Sequence, residues 1–137
     1  MKAFNDLVKP VRAISPVSVG DNTAQVSQII DTMGFFGLEF LIATGSIADA
    51  DATFAVTLDE GDAANLSDAA SVATANIDGT LALAGFQFDS DDGVRKIGIK
   101  ELTKRYYRLT ITPTGNASAA LMSAIALLFA PRKAPTS

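Results

Sequence analysis

The sequence predicts an all-β fold: an antiparallel two-sheet sandwich of the jelly-roll type with about eight strands. Two observations predict it. Short runs of alternating apolar and polar residues recur along the chain, and clusters of Gly, Pro, Asn and Asp separate them. No internal repeat is visible, which argues against propellers and solenoids. At 137 residues we expect one domain, with an N-terminal arm (1–10), a sandwich (11–130) and a C-terminal tail (131–137).

The first half of the chain supplies the arm and the first strands. The arm shows mixed polarity without a sustained period and closes at Pro10. In the segment 37–44, the side chains of Leu38, Phe40 and Ile42 share one face, as in a half-buried strand. The strands expected in this half span 11–14, 17–19, 24–32, 37–44 and 53–58.

The second half is predicted to complete the sandwich. The Ala- and Ser-rich segment 65–73 is interpreted as a short helical turn or loop. In 105–112 the alternation makes Tyr107, Leu109 and Ile111 core residues and turns Arg108 outward. The strands expected in this half span 80–83, 85–88, 94–99, 105–112 and 120–129.

The last predicted strand is apolar on both faces. A strand of this kind is covered on both sides, and the cover is a loop, a second sheet or another subunit. Core filling and a subunit contact both explain the pattern. The candidates for an oligomer contact are Leu121, Met122, Ile125 and Leu128.

Charge is divided along the chain. No lysine or arginine lies between Arg12 and Arg95, whereas thirteen Asp and Glu residues do. Residues 13–94 therefore carry about −13, residues 95–137 about +7 and residues 1–12 about +2, which sum to the net charge of −4. Opposite charges separated in this way either pair within the fold or contact a partner.

The usual catalytic side chains are missing. The chain has no His and no Cys, which excludes Ser-His-Asp and Cys-His arrangements and nearly excludes zinc sites of the usual kind. It also lacks a glycine-rich phosphate-binding motif, so we expect no cofactor and no enzymatic activity. Because no apolar run is long enough for a signal peptide or a membrane span, we expect a soluble protein without a membrane partner.

Two segments invite a binding hypothesis. Asp89, Asp91 and Asp92 precede a glycine as in a calcium loop, but the closing glutamate is missing and Asp and Gly are ordinary turn formers. They are weak candidates for metal ligands. The basic residues of 95–108 alternate with Tyr106 and Tyr107, as in some nucleic-acid surfaces. The net negative charge opposes phosphate, so we expect no nucleic-acid partner and instead pairing with the acidic strands.

A series of short sequence blocks runs along most of the chain: DNTAQV (21–26), IIDT (29–32), LEF (38–40) with TG (44–45), ADADATF (48–54), EGD (60–62), LSDAA (66–70), KIG (96–98), KRY (104–106), RLTITP (108–113) and GN (115–116). In these blocks the sequence resembles the small capsid cement, or decoration, proteins of tailed bacteriophages, including that of a Bordetella phage. The likeness extends over roughly residues 15–135.

The resemblance implies a jelly roll, often paired as a dimer, on the outside of a shell of major capsid protein. It therefore implies a non-enzymatic virion protein, made in the cytoplasm of a bacterial host, that stabilises the capsid and associates as a dimer or trimer. The alternative is a carbohydrate- or host-surface-binding sandwich, because jelly rolls also host lectin sites. The basic ends are the candidate capsid contacts: Lys2, Lys9, Arg12, Arg132 and Lys133.

Overall fold

Two antiparallel sheets packed face to face form the fold in the computed structural model, which describes residues 3–134. Helical structure in that range consists of α1 (Leu81–Ala84) and 3-10 turns at Phe4–Asp6, Thr74–Asn76 and Phe88–Ser90. The strands are β1 (Val8–Val19), β2 (Gln25–Val26), β3 (Ile30–Asp31), β4 (Phe35–Ile47), β5 (Thr53–Gly61), β6 (Ala70–Ser71), β7 (Ile77–Asp78), β8 (Phe86–Gln87), β9 (Val94–Ile99), β10 (Tyr106–Thr114) and β11 (Ala120–Pro131).

The strand order is that of a jelly roll. The first sheet has the order β1-β11-β4-β9-β7, and the second has β2-β10-β5-β6, with β3 also paired to β10 and β8 to β5. β2 and β3 share one strand position, as do β6 and β8. With the short β7 set aside, the eight positions run 1-8-3-6 in the first sheet and 2-7-4-5 in the second, which is a jelly roll. The predicted all-β sandwich is therefore confirmed.

The core lies between the sheets and is built by alternate residues of the long strands. The inward faces predicted for 37–44, 53–58 and 105–112 are confirmed. Burying one large apolar side chain of this kind contributes about 1.5–3 kcal/mol. The buried members from these three strands are Leu38, Phe40, Ile42, Phe54, Val56, Leu58, Tyr107, Leu109 and Ile111.

Some predicted elements differ in the structure. The strand predicted for residues 80–83 is wrong: α1 forms there because the Thr80 hydroxyl accepts the Leu83 N–H at 3.2 Å and caps a run of good helix formers. The predicted strands 11–14 and 17–19 form the single strand β1, which begins at Val8 and shifts register twice. Pro10 is accommodated because β1 is an edge strand.

Asn116, predicted only as part of a turn, joins two loops at one end of the sandwich. Its buried side-chain Nδ2 donates to the carbonyls of Val19 and Asp21, both at 3.0 Å. Its backbone N–H donates to Oδ1 of Asn22 at 2.8 Å. The turn between β10 and β11 is thereby tied to the turn between β1 and β2.

Replacing Asn116 by alanine is expected to lower the free energy of unfolding by about 1–3 kcal/mol, because two carbonyls lose their donor. The midpoint of urea unfolding measures the change. Asn65→Ala is the matched control, since the Asn65 side chain accepts only an exposed backbone N–H, that of Ser67. Equal urea midpoints for the two variants would show that the hydrogen bonds of the Asn116 side chain do not stabilise the fold.

Candidate functional site

The main surface feature lies on the side of the first sheet that faces away from the core, which we call the outer face. β11 turns alternate residues toward it, and β1, β4 and β9 add neighbours in the same rows. Leu121 and Ile125 are 44% and 47% exposed, so the stripe meets solvent in the single chain. The apolar members are Val8, Pro10, Leu41, Ala43, Val94, Leu121, Ile125, Leu127 and Phe129.

Two glycines of β4 allow the apolar side chains of β11 to lie flat on the sheet. A Cβ atom at Gly37 would stand 2.3 Å from the Phe129 ring, and one at Gly45 would stand 2.9 Å from Cβ of Leu121. Phe129 and Leu121 thus occupy the space that side chains at these positions would need. The two side chains therefore lie close against β4 and stay partly exposed on the outer face, where one depression lies beside Leu121 and another beside Phe129.

Charged residues border the apolar stripe without giving it a net charge. In the strand register, Arg12 and Lys96 flank the row of Ile125, and Glu39 and Asp78 lie in the next row. These are two positive and two negative groups, whereas the chain carries −4. Burial raises the pKa of the Glu39 carboxyl, the Asp78 carboxylate raises it further, and Lys96 opposes the shift.

This raised pKa predicts that Glu39 destabilises the fold at neutral pH. A carboxyl whose pKa is higher in the folded chain binds its proton more tightly there, so stability falls as pH rises above its ordinary value of 4.5. Glu39→Gln is expected to raise the free energy of unfolding at pH 7 by up to about 1 kcal/mol, and the gain should shrink toward pH 4.5. Urea midpoints at both pH values measure it, with the exposed Glu101→Gln as control. A gain that is independent of pH would contradict the assignment.

The oligomer candidates divide between the two faces of β11. Leu121 and Ile125 lie on the outer face, as an intermolecular contact requires. Met122 and Leu128 were wrong as contact candidates, because both are buried in the core opposite the second sheet. Sequence reasoning also missed Leu41 and Val94, although their alternation with inward residues of β4 and β9 is the signal that places them on the outer face.

The predicted capsid contacts that the structure describes lie on β1 and just beyond the end of β11, two strands that pair with each other. Lys2 lies outside the described residues. Lys9 and Arg12 are exposed on the edge strand β1. Arg132 and Lys133 are exposed just after β11. The guanidinium carbon of Arg132 lies 4.8 Å from the centroid of the exposed Phe36 ring, a contact that sequence reasoning did not predict.

Acidic and basic segments pair across the second sheet, as the charge division predicted. Arg105 donates two hydrogen bonds of 2.8 Å to the Asp31 carboxylate, which lowers the pKa of Asp31. Further ion pairs join Lys104 to Asp62 at 3.2 Å and Arg108 to Asp59 at 3.3 Å. Pairs this exposed contribute at most about 1 kcal/mol each, so they bear on pairing specificity more than on stability.

The tyrosines do not form a stacking platform. Tyr107 is fully buried, and burial raises the pKa of its hydroxyl. The Arg105 guanidinium covers the Tyr106 ring, with 5.0 Å between its carbon and the ring centroid. The basic residues of this segment therefore serve the pairing described above, and neither ring is free to stack on a base.

The aspartates at the opposite end of the sandwich organise turns. Asp91 accepts the backbone N–H of Ile47 at 2.8 Å, and Asp49 accepts that of Ala117 at the same distance, which lowers the pKa of Asp49. Asp89 and Asp92 do not converge with Asp91 on a cation site. Within residues 3–134, no three metal-ligating side chains are grouped so that they would hold a metal ion.

Comparisons with known proteins give fold likenesses only. No protein-family model matches the chain, and no curated protein matches its sequence. A chain from the structure of infectious bursal disease virus, Gx strain, is 13% identical with a TM-score of 0.46, and the match covers 93% of this chain and 35% of that one. The VP2 subviral particle of the same virus matches at 12% identity and a TM-score of 0.43, over 90% of this chain and 33% of the other.

A family GH115 4-O-methyl-alpha-glucuronidase with specificity for decorated arabinogalactans matches at 12% identity and a TM-score of 0.44, over 89% of this chain and 16% of that one. The chain thus spans about a third of the viral chains and about a sixth of the glucuronidase. The fold assignment rests on the strand order given above. Among the described residues, no helix is long and apolar enough to cross a membrane.

Proposed function

We propose that this chain is a non-enzymatic structural protein of a phage virion, that it binds the outside of the capsid and stabilises contacts between major capsid protein subunits, and that it acts as a homodimer. The observation that carries the proposal is the outer face, which presents an exposed apolar stripe bordered by balanced charges on a hydrogen-bonded sheet. The block resemblance to cement proteins supports the capsid role. The absence of His and Cys from the sequence supports a role without catalysis.

The outer face has the size of a stable subunit contact. Three of its strands are 12 or 13 residues long and β9 adds six, so at about 3.4 Å per residue and about 4.8 Å between strands it covers roughly 700 Å². A standard interface buries about 800 Å² on each partner. The apolar stripe occupies part of this area, and contiguous exposed apolar patches on soluble proteins mark interaction sites when they are large. A second copy is the occupant we propose, since the self-balanced charges of the face allow it to meet itself across a two-fold axis.

A dimer suits a capsid stabiliser for a physical reason. Internal DNA pressure loads the seams between capsid subunits, and a clamp must hold both sides of a seam. Two linked copies convert the second attachment into an intramolecular event, so that weak individual contacts hold firmly together. The location that follows from this role is the capsid exterior of the virion.

The test is reconstitution on phage heads. Expanded heads that lack the protein are mixed with the purified chain and sedimented, and their survival under heating is compared with that of untreated heads. We expect the chain to sediment with the heads and to raise the temperature at which they lose DNA. Absence of both effects would overturn the proposed function.

The structure offers little support for the carbohydrate-binding alternative. A sugar site on this fold could have been lined by Tyr106 and Tyr107 together with the Asp-rich loops. In the structure, Tyr107 is buried and Tyr106 lies beneath Arg105, at the opposite end of the sandwich from residues 89–92, which lie against Gly45 and Ile47. No described surface favours the alternative, and a glycan array with calcium present tests it directly.

A further inference from the structure

A groove at the end of the sandwich opposite the turns of Asp49 and Asp91 combines exposed apolar and basic side chains. Its volume is about 630 Å³, and it is bounded by the turn between β3 and β4, the loop between β9 and β10, and the end of β11. Met33 and Phe36 are 68% and 61% exposed at its edge. Its lining carries four basic residues against two acidic ones, in a chain whose net charge is −4.

Two of the four bases lack an acidic partner. Lys104 and Arg105 are used in the ion pairs with Asp62 and Asp31. Within residues 3–134, neither Lys100 nor Arg132 has a carboxylate within the 4.0 Å range of an ion pair. Arg132 lies over the Phe36 ring instead. The guanidinium of Arg132 and the ring of Phe36 therefore place a charged and an apolar binding group side by side.

Hydrogen bonds hold the walls of the groove in place. The Arg132 N–H donates to the carbonyl of Gly34 at 2.8 Å, which ties the end of β11 to the turn between β3 and β4. The Thr32 hydroxyl donates to the carbonyl of Arg105 at 2.7 Å. The Lys100 N–H donates to the carbonyl of Asn76 at 2.8 Å. Because the walls are fixed before binding, a partner would lose little affinity to ordering them.

We propose that this groove binds an acidic segment of the capsid protein that carries an apolar side chain, with its carboxylates on Lys100 and Arg132 and its apolar group against Met33 and Phe36. This inference rests on the proposed function and names the surface through which it acts. Charge complementarity selects the partner: the two unpaired bases attract carboxylates, while the nearby apolar side chains give the contact a desolvated centre. Each copy carries one groove, so a dimer would carry two.

The experiment compares variants of equal charge on expanded heads that lack the protein. Lys100→Gln with Arg132→Gln changes the net charge by −2, and Thr112→Glu with Thr114→Glu makes the same change on exposed positions of β10. We expect the first pair to weaken co-sedimentation by about tenfold or more, increasingly at low salt, and the second to stay within about twofold of the unaltered chain. Met33→Ser with Phe36→Ser should also weaken binding, at all salt concentrations. Thermal unfolding of each variant verifies that it is folded.

The outcomes separate this inference from the proposed function. If the unaltered chain binds heads and both groove variants bind equally well, the groove assignment is wrong and the capsid role stands. If the unaltered chain does not bind, both fall. Displacement of the unaltered chain from heads by excess duplex DNA would show that the groove recognises phosphate, which would overturn the acidic protein partner.

Discussion

Replacing Ile125 with aspartate is expected to convert the proposed dimer into a monomer without unfolding the chain. Ile125 lies in the middle of the outer face, between Arg12 and Leu41 in the strand register, and its side chain is 47% exposed. A carboxylate there would be buried against the apolar stripe of the partner copy. Arg12 lies directly opposite this position in the strand register, but burying the new carboxylate together with Arg12 strips both groups of water, a cost that can exceed their attraction. We therefore expect the dissociation constant to rise at least about 100-fold. Sedimentation velocity over a concentration series measures it.

The matched control places the same charge on the second sheet. Thr112→Asp changes an exposed residue on the outer side of β10, so the control should dimerise as the unaltered chain does. Both variants should keep the thermal unfolding temperature of the monomer fold. Two outcomes would refute the outer face as the dimer contact. One is an Ile125→Asp chain that remains dimeric. The other is an unaltered chain that is monomeric at about 100 μM, a concentration at which a contact of this size should persist.

Strict alternation made the long strands predictable. Over 38–42 in β4, 54–58 in β5 and 107–111 in β10, every second residue is large and apolar, and a strand with one buried face has only one register that satisfies this pattern. Leu38, Phe54 and Tyr107 could therefore be assigned to the core from the sequence. The sequence predicted that basic and acidic segments would pair, but not that Arg105 would pair with Asp31. These two residues are 74 positions apart in the chain, and only the pairing of β3 with β10 makes them neighbours.

Other elements could not be predicted, for reasons visible in the structure. β11 is apolar on both faces, so its pattern does not say that Met122 points into the core and Leu121 away from it. The chain forms α1 between β6 and β8. The Leu and Ala residues of this segment are compatible with either a strand or a helix, and the Thr80 cap favours the helix. The groove around Lys100 and Arg132 is formed by three segments that are distant in sequence, and no local sequence pattern predicts that they lie together.

The structure changes the meaning of the charge division. Part of the basic segment is neutralised within the fold by Asp31, Asp59 and Asp62. The groove end is not uniformly basic, because three carboxylates lie near Lys104 and raise its pKa, those of Asp62, Glu60 and Asp68. What remains is a local basic site formed by the unpaired Lys100 and Arg132, so any attraction of an acidic partner acts at short range within the groove.

Replacing Phe40 with alanine is expected to produce the largest loss of stability from a single substitution. Phe40 is fully buried on β4, between the outer face and the second sheet. Truncation of a buried phenylalanine leaves a cavity and removes its transfer free energy, which together amount to about 3–5 kcal/mol. Because small domains are stable by only about 5–15 kcal/mol, the variant should unfold at much lower urea concentration and yield little soluble protein.

Phe40→Leu is the control that keeps most of the volume, and its expected loss is below about 1.5 kcal/mol. The dimer adds a second readout, since a fold stabilised by self-association gains stability with concentration. The urea midpoint of Phe40→Ala should therefore rise as the protein is concentrated, whereas that of the doubly substituted Phe40→Ala, Ile125→Asp chain should not. A buried cavity should make the alanine variant clearly less stable than the leucine variant. If the free energies of unfolding of the two variants differ by less than about 1 kcal/mol, Phe40 does not pack as the structure shows.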